Sequence, residues 1–129
     1  MRETVGNKEI IKEWYEFLKL NGAIEYNQAI LESYFRTGTY LCEKDSKGIM
    51  FLCLFSILGD CAEIDELTIR PDHRKNYMIR YVAIKGLRKF PFLSHIAYER
   101  LRKYPDKARI VYDIYSFIGV KGVKYGKEI

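Results

Sequence analysis

The residues best suited to do chemistry lie between Ala62 and Ala83. Ile64, Leu67, Thr68 and Ile69 cluster in a short β-like run. Pro71 then stops it, because proline cannot donate to a sheet ladder. From Met78 the period changes: Met78, Tyr81, Val82, Ala83, Ile84 and Leu87 recur at three- and four-residue spacing, as on the apolar stripe of a helix. A strand that turns into a helix leaves backbone N–H groups unpaired at the helix start, where the helix dipole is positive. Such a junction favours phosphate. Arg74 and Arg80 sit at the same place, and cations beside a helix N-terminus are unfavourable without an anion nearby.

Other residue groups offer less. Cys42, Cys53 and Cys61 are far apart with no C-x-x-C pair, and only His73 and His95 could assist them. A structural zinc usually brings closely paired ligands, so no metal site is expected, and the thiols read as buried strand residues in a reducing compartment. No Ser/His/Asp or Cys/His constellation is readable from the order of residues. The net charge of +5 is unevenly spread: residues 1–69 hold 7 Lys/Arg against 12 Asp/Glu, whereas residues 70–109 hold 12 against 3. The basic part begins where the phosphate-favouring turn begins. It reads either as a surface for an anionic partner or as a solvated face.

The elements that must position these groups fit one domain, residues 1–129, since the chain is too short for two ordinary ones. An apolar fraction of 48% with 15% aromatic residues argues for a packed globule. No apolar run approaches the ~20 residues of a membrane helix. The first residues, Met-Arg-Glu-Thr-Val-Gly-Asn-Lys, lack the apolar core of a secretion signal, so a cytoplasmic protein without a membrane partner is expected. Asn7 can cap a helix over Lys8 to Leu20, with Ile10, Ile11, Trp14, Phe17 and Leu18 as its stripe and Asn21-Gly22 as its stop. A second helix is expected from Glu25 to Phe35, with Tyr26, Ala29, Ile30 and Tyr34 on one side. Strands are expected at Thr39–Glu43, Ile49–Ile57 and 61–69, joined by turns at Asp45-Ser46-Lys47-Gly48 and Leu58-Gly59-Asp60. Gly48 to Leu58 is the most apolar run and suits a buried strand. A third helix over about Lys75 to Lys89 is broken by Phe90-Pro91-Phe92. Leu93 to Glu99 then alternates as a strand. Asp106 can cap a fourth helix with Ala108, Val111, Tyr112 and Tyr115 on one face, and Phe117 to Tyr125 reads as a final hairpin or frayed tail.

The central stretch resembles the core motif of the GNAT superfamily of N-acetyltransferases. In that family a Leu-x-Val-x-Pro-like strand end is followed by Arg or Gln, and x-x-Gly-x-Gly or x-x-Gly-x-Ala opens the helix. Leu67, Ile69, Pro71 and Arg74 fall in register with this pattern. Tyr77 and Ile79 stand where the family has small residues, and Lys75 where a glycine is frequent. A second block, Ala108-Arg109-Ile110-Val111-Tyr112-Asp113-Ile114-Tyr115-Ser116-Phe117, is similar to the family's Ala-x-x-Leu-Tyr-Glu-x-x-Gly-Phe, with Ser116 replacing glycine. The order of elements follows the family as well, and the resemblance covers roughly residues 7–125.

The resemblance implies an α/β (α+β) fold: a mixed, mostly antiparallel sheet flanked by about four helices. It further implies acetyl-CoA as cofactor and an amine of a small molecule or protein as acceptor. Backbone groups of Leu67 to Ile69 would pair with the pantetheine arm. Arg74 would start the turn, and amides of Lys75, Asn76, Tyr77, Met78, Ile79 and Arg80 would hold the pyrophosphate. Tyr112 matches the family's tyrosine near the CoA sulfur, a candidate general acid, against the plainer reading of a buried tyrosine among 11. Glu63 matches the strand glutamate that some members use to deprotonate an amine through water, against the plainer reading of a rim charge. Glycine at these positions would let a ligand approach the backbone; Tyr77 reads either as stacking on a ligand or as filling the pyrophosphate's space, and the β-branched Ile79 favours blocking. The other reading is a non-catalytic domain of the same shape whose basic 70–109 surface binds a protein or nucleic acid, although no nucleic-acid motif is present.

Overall fold

The computed structural model describes residues 2–74, 76–99 and 109–115, with only the backbone described at 2–6, 76, 99 and 109. Its elements run α1 (Arg2–Leu20), α2 (Gln28–Thr37), β1 (Tyr40–Asp45), β2 (Gly48–Leu58), β3 (Cys61–Ile69), α3 (Asn76–Lys89), β4 (His95–Glu99) and β5 (Arg109–Asp113). A 3-10 turn at Pro71–His73 links β3 to α3. The five strands lie in chain order in one sheet, antiparallel except for the β3–β4 pair, so the fold is mixed α+β. No helix among the described residues is long and apolar enough to cross a membrane.

The sheet is covered on both faces, and β2 shows why its sequence is so apolar. Leu52 and Leu54 point to one face, where Ile11, Trp14, Leu18 and Leu31 of α1 and α2 bury them. Phe51, Cys53 and Phe55 point to the other, against Met78, Val82 and Ala83 of α3. A strand buried on both sides loses polar alternation and becomes a continuous apolar run. Trp14 anchors the first layer through ring contacts with Phe35 and Tyr40.

Most expected elements are present, with informative shifts. Helix α1 begins at Arg2, so Asn7 lies inside it; an asparagine within a helix costs only about 0.7 kcal/mol relative to alanine. Helix α2 begins later than expected, because the side chain of Asn27 accepts the Ile30 N–H at 2.9 Å and caps it there. Tyr26 therefore precedes the helix. Its inward residue is Leu31, fully buried, whereas Ala29 and Ile30 are exposed. Gly38 ends α2 with φ +74, and its N–H bonds to the carbonyls of Tyr34 and Phe35.

The expected fourth helix is the main correction. Residues Arg109 to Asp113 form strand β5, antiparallel to β4 from Glu99↔Arg109 to His95↔Asp113. Val111 and Tyr112 are therefore strand residues, and the backbone turns helical only at Ile114 and Tyr115. Ile110, Val111 and Tyr112 are β-branched or aromatic residues that fit a pleated surface. Without β5, one side of β4 would be an open sheet edge. Asp106, Ala108 and the stretch from Phe117 to Tyr125 lie outside the described residues, so three α-helices are described rather than about four.

Candidate functional site: an opening between two parallel strands

Strands β3 and β4 pair at only three positions, Cys61↔His95, Ala62↔Ile96 and Glu63↔Ala97. Beyond Glu63, β3 continues from Ile64 to Ile69 with no ladder partner on that side among the described residues. The pairing thus stops while β4 still runs on through Tyr98 and Glu99, and α3 follows β3 after the 3-10 turn.

A local irregularity lies where this pairing ends. Opposite β2, Leu54 faces Glu66 and Phe55 faces Ile64, which leaves Asp65 as an extra residue on β3. Such a bulge bends a strand and increases its twist. Three hydroxyls hold it. Tyr34 Oη donates to Asp65 Oδ2 at 2.5 Å, Ser56 Oγ donates to the same oxygen at 3.0 Å, and Tyr26 Oη donates to the Asp65 carbonyl at 3.2 Å. Burial, reinforced by the Asp65 carboxylate, pushes the Tyr34 phenol well above its ordinary value. Burial does the same at Tyr26, with Glu66 adding to it. Both phenols stay protonated and remain donors.

A cavity of about 500 Å³ occupies the opening. Ile79, Arg80, Val82 and Gly86 of α3 line it together with Leu67 and Tyr98 on the strands. Glu25, Asp65 and Glu66 line it too. Glu25 precedes α2, on the opposite side of the sheet from α3. The lining thus brings together residues of α3, of the sheet and of the loop before α2. Cys53 forms part of its wall, and burial pushes that thiol up to about 12, so it is not a thiolate nucleophile.

The expected site residues separate into groups. Leu67, Ile79 and Arg80 line the cavity. Met78 is 2% exposed and packs beneath α3, and Ile69 packs against the same core. Asn76 opens α3; Lys75 lies outside the described residues. Tyr77 is 54% exposed and does not line the cavity, whereas Ile79, 42% exposed, does. Arg74 does not reach the helix start. Its Nε donates to the Ile69 carbonyl at 2.6 Å, bracing the turn. Glu63 is half-buried at the last parallel pair, with Cys61 Sγ 3.8 Å from its Oε2.

Tyr112 is not in the cavity wall. It lies on β5, 39% exposed, with its ring stacked on Tyr98 at 6.0 Å. Tyr98 is the phenol that lines the opening, and sequence reasoning missed it. The available signal was alternation in the Leu93–Glu99 run, which sets Tyr98 on the face of Ile96. A second missed group is the Arg70 network. Arg70 pairs with Asp45 Oδ2 at 2.5 Å and with Asp72 Oδ1 at 2.7 Å, and His73 Nε2 lies 3.1 Å from Asp45. These contacts pin the β1–β2 turn to the segment that enters α3. The Arg70 guanidinium holds both carboxyls below their usual range.

Several cations of the basic stretch are internally matched. Besides Arg70, Lys85 pairs with Glu43 at 3.1 Å, and Lys89 donates to the Tyr40 carbonyl while sitting 4.1 Å over that ring. Among the described residues, 70–89 therefore do not present a continuous bare cationic face. No model of a known protein family matches the chain, and no curated protein matches it in sequence.

Proposed function

We propose that this chain is a GNAT-type N-acetyltransferase that moves an acetyl group from acetyl-CoA to an amine. The observation that carries the reading is the end of parallel pairing after Glu63 while both strands run on, with a helix following β3. Ligands in open sheets bind outside the carboxyl ends of parallel strands. The edge of β3 from Ile64 to Ile69, without a ladder partner among the described residues, supplies N–H and C=O groups for the amide-rich pantetheine arm. The first turn of α3 supplies N–H groups and a positive dipole end for a pyrophosphate. With Tyr77 turned to solvent, only Ile79 and Arg80 of this turn border the cavity, and Arg80 adds charge of the right sign.

The coenzyme contributes an electrophilic thioester carbonyl. The acceptor amine attacks that carbon, a C–N bond forms and the C–S bond breaks. Glu63, at the last parallel pair rather than in the cavity wall, takes the proton of the amine through water. Tyr98, at the opening, returns a proton to the departing sulfur, and Tyr112 supports its ring from behind.

Thermal melting with CoA and acetyl-CoA tests the reading. A ligand at 100 times its Kd stabilises the native state by about 2.7 kcal/mol, enough to raise Tm by several degrees. An unchanged Tm at millimolar coenzyme would overturn it.

A further inference from the structure

The cavity beside α3 is larger and more apolar than an acetyl group needs. Its inner wall runs beneath the helix from Ile96 on β4 through Phe55 on β2 to Leu41 on β1. Four neighbouring strands at about 4.8 Å spacing give a span of roughly 14 Å. The far end is closed where Gly86 backs onto Leu41: a Cβ at Gly86 would lie 3.5 Å from Leu41 Cδ1. Charged residues of the lining, Arg80 on one side and Glu25, Asp65 and Glu66 on the other, come from the first turn of α3, the loop before α2 and the bulge. Among the described residues the inner wall holds none, and the Cys53 thiol in it is neutral.

We infer that this cavity receives a linear acyl chain of medium length, delivered as its coenzyme A thioester. The chain rests on the cavity itself; the carrier rests on the coenzyme reading proposed above. A methylene fills about the volume share of a water, about 30 Å³, so six to ten carbons need roughly 200–300 Å³. That fits within about 500 Å³ and leaves space for the neighbouring pantetheine. A peptide or nucleotide in the same place would leave its polar groups unpaired. The three carboxylates at one mouth repel a free carboxylate, whereas a thioester is neutral.

The test is calorimetric titration with CoA, acetyl-CoA, octanoyl-CoA and octanoate. Each buried methylene adds about three- to four-fold in affinity, so the six extra carbons of octanoyl-CoA are expected to tighten its binding on the order of 1000-fold relative to acetyl-CoA. Gly86→Leu, which fills the far end, brings that ratio close to one. Gly86→Ala, whose added carbon sits at ordinary contact distance, gives an intermediate ratio in a protein that still folds. Equal affinity for acetyl-CoA and octanoyl-CoA in the parent protein overturns the inference, as does an unchanged ratio in folded Gly86→Leu. Octanoate binding without binding of any coenzyme form upholds the chain site and overturns the coenzyme reading. Failure of all four ligands overturns both.

Discussion

Tyr98 and Tyr112 stack on one another, yet only Tyr98 lines the opening. On the proposed chemistry Tyr98→Phe lowers kcat by about 10²-fold or more, the usual worth of a positioned proton donor. Acetyl-CoA affinity is expected to hold in that variant, and Tyr112→Phe is expected to keep a kcat near that of the parent. Steady-state kinetics on both variants decides it; equal losses would remove Tyr98 from the acid role. The distinction was out of reach of the sequence, because it depends on which partner strand each tyrosine joins. Glu63 was legible as a strand carboxylate, but its place at the last parallel pair was not. Arg74 shows the converse. Its type and position suggest a phosphate ligand, whereas folding turns its guanidinium back onto the Ile69 carbonyl.

At the level of elements, local signals sufficed wherever a cap or turn residue had one physical job. Gly38 occupies the left-handed region at φ +74, where a side chain is strained. Gly38→Ala is expected to cost about 1 kcal/mol in a urea melt. The strand at Arg109–Asp113 was misread because Val111, Tyr112 and Tyr115 satisfy a helical period over a window too short to exclude a strand. The bulge at Asp65 could not be read at all, since it exists only relative to the register of β2. Its removal makes a direct test. With Asp65 deleted, Ile64 still faces Phe55 and Glu66 still faces Leu54, now in regular alternation. The variant is expected to keep its circular dichroism spectrum and lose the coenzyme-induced rise in Tm, because the straightened β3 stays beside β4. A rise equal to the parent's would separate the bulge from the opening.

Across the whole molecule, the uneven charge of the sequence is reconciled by pairs that join its two parts. Asp45 with Arg70 and Glu43 with Lys85 each match an acidic residue of the first part with a basic residue of the second. The carboxyls of Asp45 and Asp72 are held low by Arg70, and that of Asp60 by Ser94. Folded values below the unfolded value of about 3.9 mean that this stabilisation is complete above roughly pH 5 and fades as pH falls through the folded values. Arg70→Gln is therefore expected to lower Tm most at neutral pH, with the gap to the parent narrowing at pH 3. A gap that stays constant over that range would mean the three-way contact does not depend on ionised carboxyls. Two apolar faces on β2 made the layered core legible; the ion pairs were not, because nothing in the order of residues announces contacts 25 or more positions apart.

The lining of the cavity has one last consequence. Its walls draw on α3, the sheet and the loop before α2, so on the proposed chemistry donor and acceptor share one chamber. The neutral Cys53 thiol offers no place to park the acyl group between visits. Double-reciprocal plots at varied donor and acceptor are expected to intersect, the mark of a complex holding both; parallel lines would mean that the two reactants visit in turn.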